Sequence, residues 1–198
     1  MRRKPNPDQR RRELCDTAIR LLADDGVKGV SHLKVDRKAG VPDGTTSFYF
    51  RTRSALLQAV AVRVSELDLK DLSAAANEPS GLAALVMRSA TGTRLVRTKA
   101  RQELALQAIR DPLLDEALRS YRDRFLALIT DAVLRLHPAG HTPDRSLADR
   151  QAYVVMMFIG GVLQGFAAGE RRIGSTAELE ALISGIIVGL ASSAALRS

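Results

Sequence analysis

The chain has 198 residues, 45% of them apolar, and a formal charge of +8. It can bury a proper core, which excludes a disordered polymer, and its single cysteine, Cys15, excludes an internal disulfide and reads as a small packing residue. Residues 1–54 hold 13 Lys and Arg against 7 Asp and Glu, and the remainder 17 against 15, so an anionic partner is expected for the first quarter of the chain.

Helical periodicity runs throughout and strand alternation is nearly absent. Met1 to Arg12 is basic, with no apolar segment behind it to make a signal peptide. It is either an arm that touches phosphate or an ordinary frayed end. A first helix carries the stripe Leu14, Ala18, Leu21 and Leu22 and stops at Asp24-Asp25-Gly26, with Gly26 as its C-terminal cap. Ser31 caps a second, short helix on which Val35 and Ala39 make a small apolar face. Gly40 ends that helix, Val41 plugs the turn, and a third helix runs from about Asp43 to Tyr49. Two short helices joined in this way are the pattern of a helix-turn-helix, whose second helix enters the DNA major groove. The groups expected on its exposed face, Asp43, Thr45, Thr46, Ser47 and Tyr49, are small or hydrogen-bonding, as base edges and phosphates require. Phe50 closes the small core, and Arg51-Thr52-Arg53-Ser54 leads into a long fourth helix with Leu56, Leu57, Val60, Ala61, Val64 and Leu67 inward, reaching about Leu72.

A break follows over residues 77–81, then a helix over 82–90, which Thr91-Gly92-Thr93 interrupts or kinks. Lys99 to Arg110 predicts another helix, with Leu104, Ala105, Ala108 and Ile109 inward. Asp111-Pro112 restarts the chain, Asp as cap and Pro at the first helical position. The helix after it turns Leu114, Leu118, Tyr121, Phe125, Ile129 and Ala132 inward. His137 to Ser146 is a loop. His137 and His141 have a metal-ligand spacing for a helix, but Pro138, Gly140 and Pro143 forbid a regular helix there, and no metal site is expected. There is no Gly-rich phosphate loop and no nucleophile motif, and Glu103, Asp115, Glu116 and Asp123 lie near Arg on solvated faces. Neither an enzyme nor a cofactor is expected.

Two apolar segments close the chain, Tyr153 to Ala168 and Leu179 to Leu196, the second opened by a capping box at Ser175-Thr176-Ala177-Glu178. Gly161, Gly165 and Gly169 recur at four-residue spacing on the first, Gly185 and Gly189 on the second. A membrane span needs about 20 apolar residues. The first segment is shorter and ends at Glu170-Arg171-Arg172, and the second is diluted by Ser184, Ser192 and Ser193. No membrane partner is expected. Helices this apolar need more partners than one chain offers, which points to a homodimer with a four-helix interface.

Residues 13 to 57 resemble the TetR family of bacterial transcriptional repressors. The resemblance is carried by Leu14 to Gly26, Ser31, Ala39-Gly40-Val41, Gly44-Thr45, and Phe50 followed by Arg53, Leu56 and Leu57. The rest resembles the family only in architecture. Arg53 stands where the family usually has Lys. Ser47 stands where many members have a phosphate-contacting Tyr, a contact Tyr49 is placed to take over. Asp36 replaces a common Ala; it pairs with Lys38 or Arg37 or faces away. Asp43 replaces a frequent Lys and either accepts from a cytosine amino group or caps the recognition helix, the cap being favoured.

The resemblance implies an all-α fold of about nine helices: a helix-turn-helix DNA-binding domain over 1–54, and a C-terminal effector-binding and dimerisation domain over 55–198. The expected activity is operator-specific DNA binding by a cytoplasmic homodimeric repressor released by a small molecule. An architectural DNA-binding protein without an effector is the alternative. Expected phosphate contacts are Ser31, His32, Lys34, Arg37, Tyr49, Arg51 and Arg53; base contacts are Thr45, Thr46, and Asp43 or Ser47. An effector would be lined by Met87, Leu95, Leu104, Gln107, Tyr121, Phe125, Met157 and Phe158, although such residues also make ordinary core. The dimer contact would run along Gly161, Gly165, Gly169, Gly185 and Gly189.

Overall fold

The computed structural model describes residues 6–76, 78, 80–137 and 143–195. Met1 to Pro5 of the basic arm, His141 and Leu196 lie outside them. The described residues form nine α-helices and no strand: α1 (Pro7–Asp25), α2 (His32–Ala39), α3 (Thr45–Tyr49), α4 (Arg53–Ala75), α5 (Gly81–Arg88), α6 (Gly92–Ala108), α7 (Pro112–Leu136), α8 (Arg145–Ala167) and α9 (Thr176–Ala195).

The expected punctuation is in place. Gly26, at φ 67°, returns its N–H to the Leu22 carbonyl, and Gly40 sits in the left-handed region at φ 66°, ψ 35°. Ser31 Oγ accepts from Lys34 N at 3.3 Å, and Asp111 Oδ1 accepts from Leu114 N at 3.2 Å ahead of Pro112. Only half of the expected capping box forms: Ser175 Oγ accepts from Glu178 N, while the Glu178 carboxylate reaches past Ser175 to Gly174 N.

Some boundaries differ from expectation. The recognition helix α3 starts at Thr45, and α6 starts at Gly92, seven residues before Lys99. Ala105 and Ile109, expected inward, are exposed, Ile109 at 80%. In an α6 that ends at Ala108, the inward stripe is Ala100, Leu104 and Ala108, at four-residue spacing.

The chain divides into two compact units. The first comprises residues 1–67 and 93–120, the second 68–92 and 121–198; α4 and α7 contribute residues to both. In the first unit Leu14, Leu22, Val30, Val35, Phe50, Leu56 and Leu57 share one core with Ala100, Leu104 and Leu114. The expected boundary after residue 54 therefore falls inside a packed body, because α6 and the start of α7 share the core of the head. Cys15 belongs to this core at 4% exposure. Burial, reinforced by neighbouring Asp16, pushes its thiol up to about 12. In the second unit, Ala148, Ala152, Val155 and Ile159 form the buried stripe of α8, and Leu179, Ile183 and Ile187 that of α9, which packs against it.

Candidate nucleic-acid interface and effector cavity

The recognition helix has only five residues, Thr-Thr-Ser-Phe-Tyr, too few to hold itself in place. It is held by Asp36, the acid that replaces the common Ala. Asp36 is fully buried. One carboxylate oxygen accepts from Gly44 N at 2.8 Å; the other accepts from Thr46 N at 2.7 Å and from the Thr46 hydroxyl. Two of the orphan N–H groups at the start of α3 are thus satisfied from a neighbouring helix. The expected pairing of Asp36 with Lys38 or Arg37 is corrected: Lys38 pairs with Asp24 at 2.8 Å and Arg37 with Asp43 at 3.8 Å. The cap assigned to Asp43 is corrected too. Gly44 occupies the N-cap position without a side-chain cap, and the capping carboxylate comes from Asp36, eight residues before it. A cap drawn from another helix has no short-range spacing by which to recognise it.

The same lock changes the expected base contacts. Thr46 has no exposed surface and its hydroxyl is engaged by Asp36, which removes it from the DNA-facing set. Thr45 is half-buried and donates to the Pro42 carbonyl at 2.6 Å; Ser47 is exposed and donates to the Gly44 carbonyl at 2.9 Å. Phe48, absent from the expected set, is 78% exposed. Its ring meets Tyr49 edge to face, with centroids 5.2 Å apart. A reading that looked only for polar groups on this face passes over it.

Of the expected phosphate-contacting residues, Lys34, Arg37, Arg51 and Arg53 are exposed and Ser31, His32 and Tyr49 half-buried, and most have internal ties. Ser31 caps α2, and its hydroxyl hydrogen stays available. His32 Nε2 bonds the Phe50 carbonyl at 2.7 Å. Lys34 lies 3.9 Å from Asp25. Arg51 is exposed. Arg53 Nε donates to the Val30 carbonyl at 2.9 Å, and its Nη2 donates to the Val27 carbonyl. Arg53 thus fastens the turn between α1 and α2 with part of its guanidinium. The same Val27 donates its N–H to Glu103 Oε2 at 3.2 Å, so an acid expected on a solvated face clips α6 to that turn. Arg11 donates to the Tyr49 carbonyl at 3.0 Å and lies over the Phe50 ring.

The eight expected effector-lining residues are divided between the two units. Leu104 is 2% exposed in the core of the first unit, and Met157 is 51% exposed on α8. Leu95 and Gln107 belong to the first unit, and Met87, Tyr121, Phe125 and Phe158 to the second. An open cavity of about 400 Å³ lies in the second unit, and none of the eight lines it. Leu72, Leu82, Leu136 and Ile183 give its apolar walls, and Glu78, Glu180 and Arg135 its charges. Glu180 accepts from the Ser80 hydroxyl at 2.6 Å, and Ser80 holds a left-handed φ of 53°. Sequence periodicity identifies inward positions but not the places where helices diverge enough to leave a void.

The expected dimer glycines divide into two groups. Gly169 lies beyond α8 in a left-handed conformation, φ 92°, where it ends the helix: its N–H meets the Phe166 carbonyl, and Glu170 N meets Gly165 O. A Cβ on Gly165 would come within 3.4 Å of the Glu170 carboxylate. Both are used by the chain's own turn. A Cβ on Gly161, Gly185 or Gly189 would meet nothing. These three lie on exposed stripes: Tyr153, Met157, Gly161 and Gln164 on α8, and Leu182, Gly185, Val188, Gly189 and Ser192 on α9.

No family model matches the chain, and no curated protein matches it in sequence. Solved structures match it in fold along nearly its whole length. A transcriptional regulator from Rhodococcus sp. Rha1 superposes with a TM-score of 0.73 at 17% identity, covering 96% of this chain and 97% of its own. A TetR-family member from Streptomyces coelicolor gives 0.68 at 21%, covering 94% and 98%. The multidrug binding protein EbrR in complex with ethidium gives 0.65 at 22%, covering 95% and 99%. The all-α architecture expected from residues 13 to 57 is therefore the fold of this chain, shared with TetR-family regulators.

Proposed function

We propose that the protein is a transcriptional regulator of the TetR family: a cytoplasmic homodimeric repressor that binds a palindromic operator and is released by a small-molecule effector. The observation that carries this reading is the locked α2–α3 pair, in a chain whose fold matches TetR-family regulators from end to end. The helix-turn-helix lies within residues 1–54, on a core shared with α4, α6 and the start of α7, with its carboxylate cap turned inward and its rim basic. Ser31, His32, Lys34, Arg37, Tyr49, Arg51 and Arg53 position the duplex through phosphate, and the outward face of α3 reads the groove. Arg53 does so with the N–H groups its carbonyl bonds leave over.

Homodimerisation is supported by the glycines. A glycine inside a helix costs roughly 0.5–1 kcal/mol relative to Ala, and among the described residues nothing approaches Gly161, Gly185 or Gly189 closely enough to require one. A partner helix laid along the stripe does require it. By length and composition, α9 over Thr176–Ser193 is apolar enough to cross a membrane, and only 17% of that window is buried within the chain. The continuation of the exposed stripe onto α8 favours a second copy as its cover. The dimer carries two recognition helices, for half-sites about 34–36 Å apart or at multiples of that.

The effector site is the open cavity of the second unit, whose apolar walls and charges of both signs suit a small amphiphile. EbrR, of the same fold, is described in complex with ethidium and with proflavin. An effector acts only through different affinities for two states of the dimer, and α4 and α7, continuous through both units, are the elements to carry that difference. Selection of preferred sites from random duplexes by the purified full-length protein tests the reading. One palindrome enriched and protected over its neighbours is expected. Uniform protection of all duplexes would favour the architectural alternative, and no retention at all would end both.

A further inference from the structure

The Thr and Ser hydroxyls of α3 donate to groups of the chain itself. Thr45 donates to Pro42 O, Ser47 to Gly44 O and Thr46 to Asp36. The first two retain only acceptor lone pairs for a ligand. The helix carries no Arg, Lys, Asn or Gln, so it has no long-chain donor for the O6 and N7 acceptors of guanine, the pairing that dominates specific major-groove contacts. Its largest outward group is the Phe48 ring, 78% exposed and braced edge-on by half-buried Tyr49.

We infer that Phe48 is the specificity-determining residue of the recognition helix and reads the 5-methyl group of a thymine in each half-site. The inference rests on the DNA-binding reading above. In the major groove only thymine offers an apolar group, and an aromatic ring meets it without needing a hydrogen bond. Ser47, one residue away and accepting only, suits the amino group of adenine or cytosine. Asp36 is part of the device: it holds the helix by its backbone N–H groups and withdraws Thr46 from the surface, leaving the ring to meet the groove.

The test uses the full-length protein and the palindrome it selects. Each thymine of the selected half-site is replaced in turn by deoxyuridine, which removes the methyl and keeps every hydrogen-bonding group. At one symmetric position the replacement is expected to weaken the native protein about fourfold per half-site, the scale of one buried methyl. The same replacement is expected to cost Phe48→Ala nothing, while Phe48→Leu retains part of the discrimination. Phe48 is exposed, so neither variant disturbs the core, and an unchanged thermal midpoint checks this. An equal deoxyuridine penalty in Phe48→Ala, no penalty at any position, or a selected half-site without thymine would overturn the assignment and leave the DNA-binding reading standing. Failure to select any duplex would remove both.

Discussion

The head and the α8–α9 pair both use side-chain ties between helices, Gln151 to the Ile187 carbonyl in the pair, but differ in how far they close. The head ties its pieces with side chains from distant helices: Asp36 to α3, Arg53 to the α1–α2 turn, Glu103 from α6 to the same turn, and Arg11 to the end of α3. The α8–α9 pair is tied on one side only. Ile183 and Ile187 are buried within the chain while Leu182, Gly185 and Val188 face outward. The head closes its core within one chain, and in the proposed dimer a second copy completes the tail helices. A reading head needs internal rigidity because its partner is met only transiently. A permanent interface leaves its apolar face for the second copy to cover.

This contrast is exposed to four measurements. The largest effect is expected for Asp36→Ala, which leaves two backbone N–H groups and one hydroxyl without their buried acceptor. A loss of about 3–5 kcal/mol in chemical denaturation is expected, together with loss of specific DNA binding; Asp36→Asn retains a smaller share of both. A variant that stayed as stable as the native chain would show that the head does not depend on this lock. Next, Gly185→Arg places a charged chain on the open stripe, where the monomer has room for it. Sedimentation should show a monomer of unchanged helicity, with dimer affinity down at least about 100-fold, equivalent to roughly 2.7 kcal/mol. A dimer surviving both this change and Gly161→Arg would place the interface elsewhere. Gly165, already covered by Glu170, gives a less clean probe.

Arg53→Lys keeps the charge and removes the forked hold on Val27 and Val30. A loss of about 1–2 kcal/mol of stability is expected with the salt dependence of DNA binding unchanged, whereas Arg53→Ala should also flatten the salt slope by about one phosphate contact. If the two variants matched in stability and slope, the remaining N–H groups would not reach phosphate. The smallest effect concerns Cys15. The thiol ordinarily ionises near 9.0 and in the folded chain near 12, so the native state holds the proton more tightly. Its contribution is fully present below the ordinary value and lost as pH rises from about 9 towards 12. Alkylation by iodoacetamide at pH 9 should therefore be slow and track unfolding. Rapid native-state labelling would show the head core to be looser than its packing implies.

Much of this molecule was legible in the chain because its signals are local. The Leu14–Leu22 stripe, the caps at Ser31 and Asp111, the stops at Gly26 and Gly40 and the fourth-helix stripe from Leu56 depend on neighbours within one or two turns, and those neighbours are set by residue order. What only the tertiary structure decided are the choices among equally placed polar groups. Asp36 rather than Asp43 caps α3, Thr46 is hidden while Phe48 is shown, Glu103 serves a turn 76 residues away, and a cavity opens beside Leu82 and Ile183. Hydrogen bonds between elements and gaps between helices depend on how rigid bodies pack, and helical periodicity records only which side of each helix turns inward.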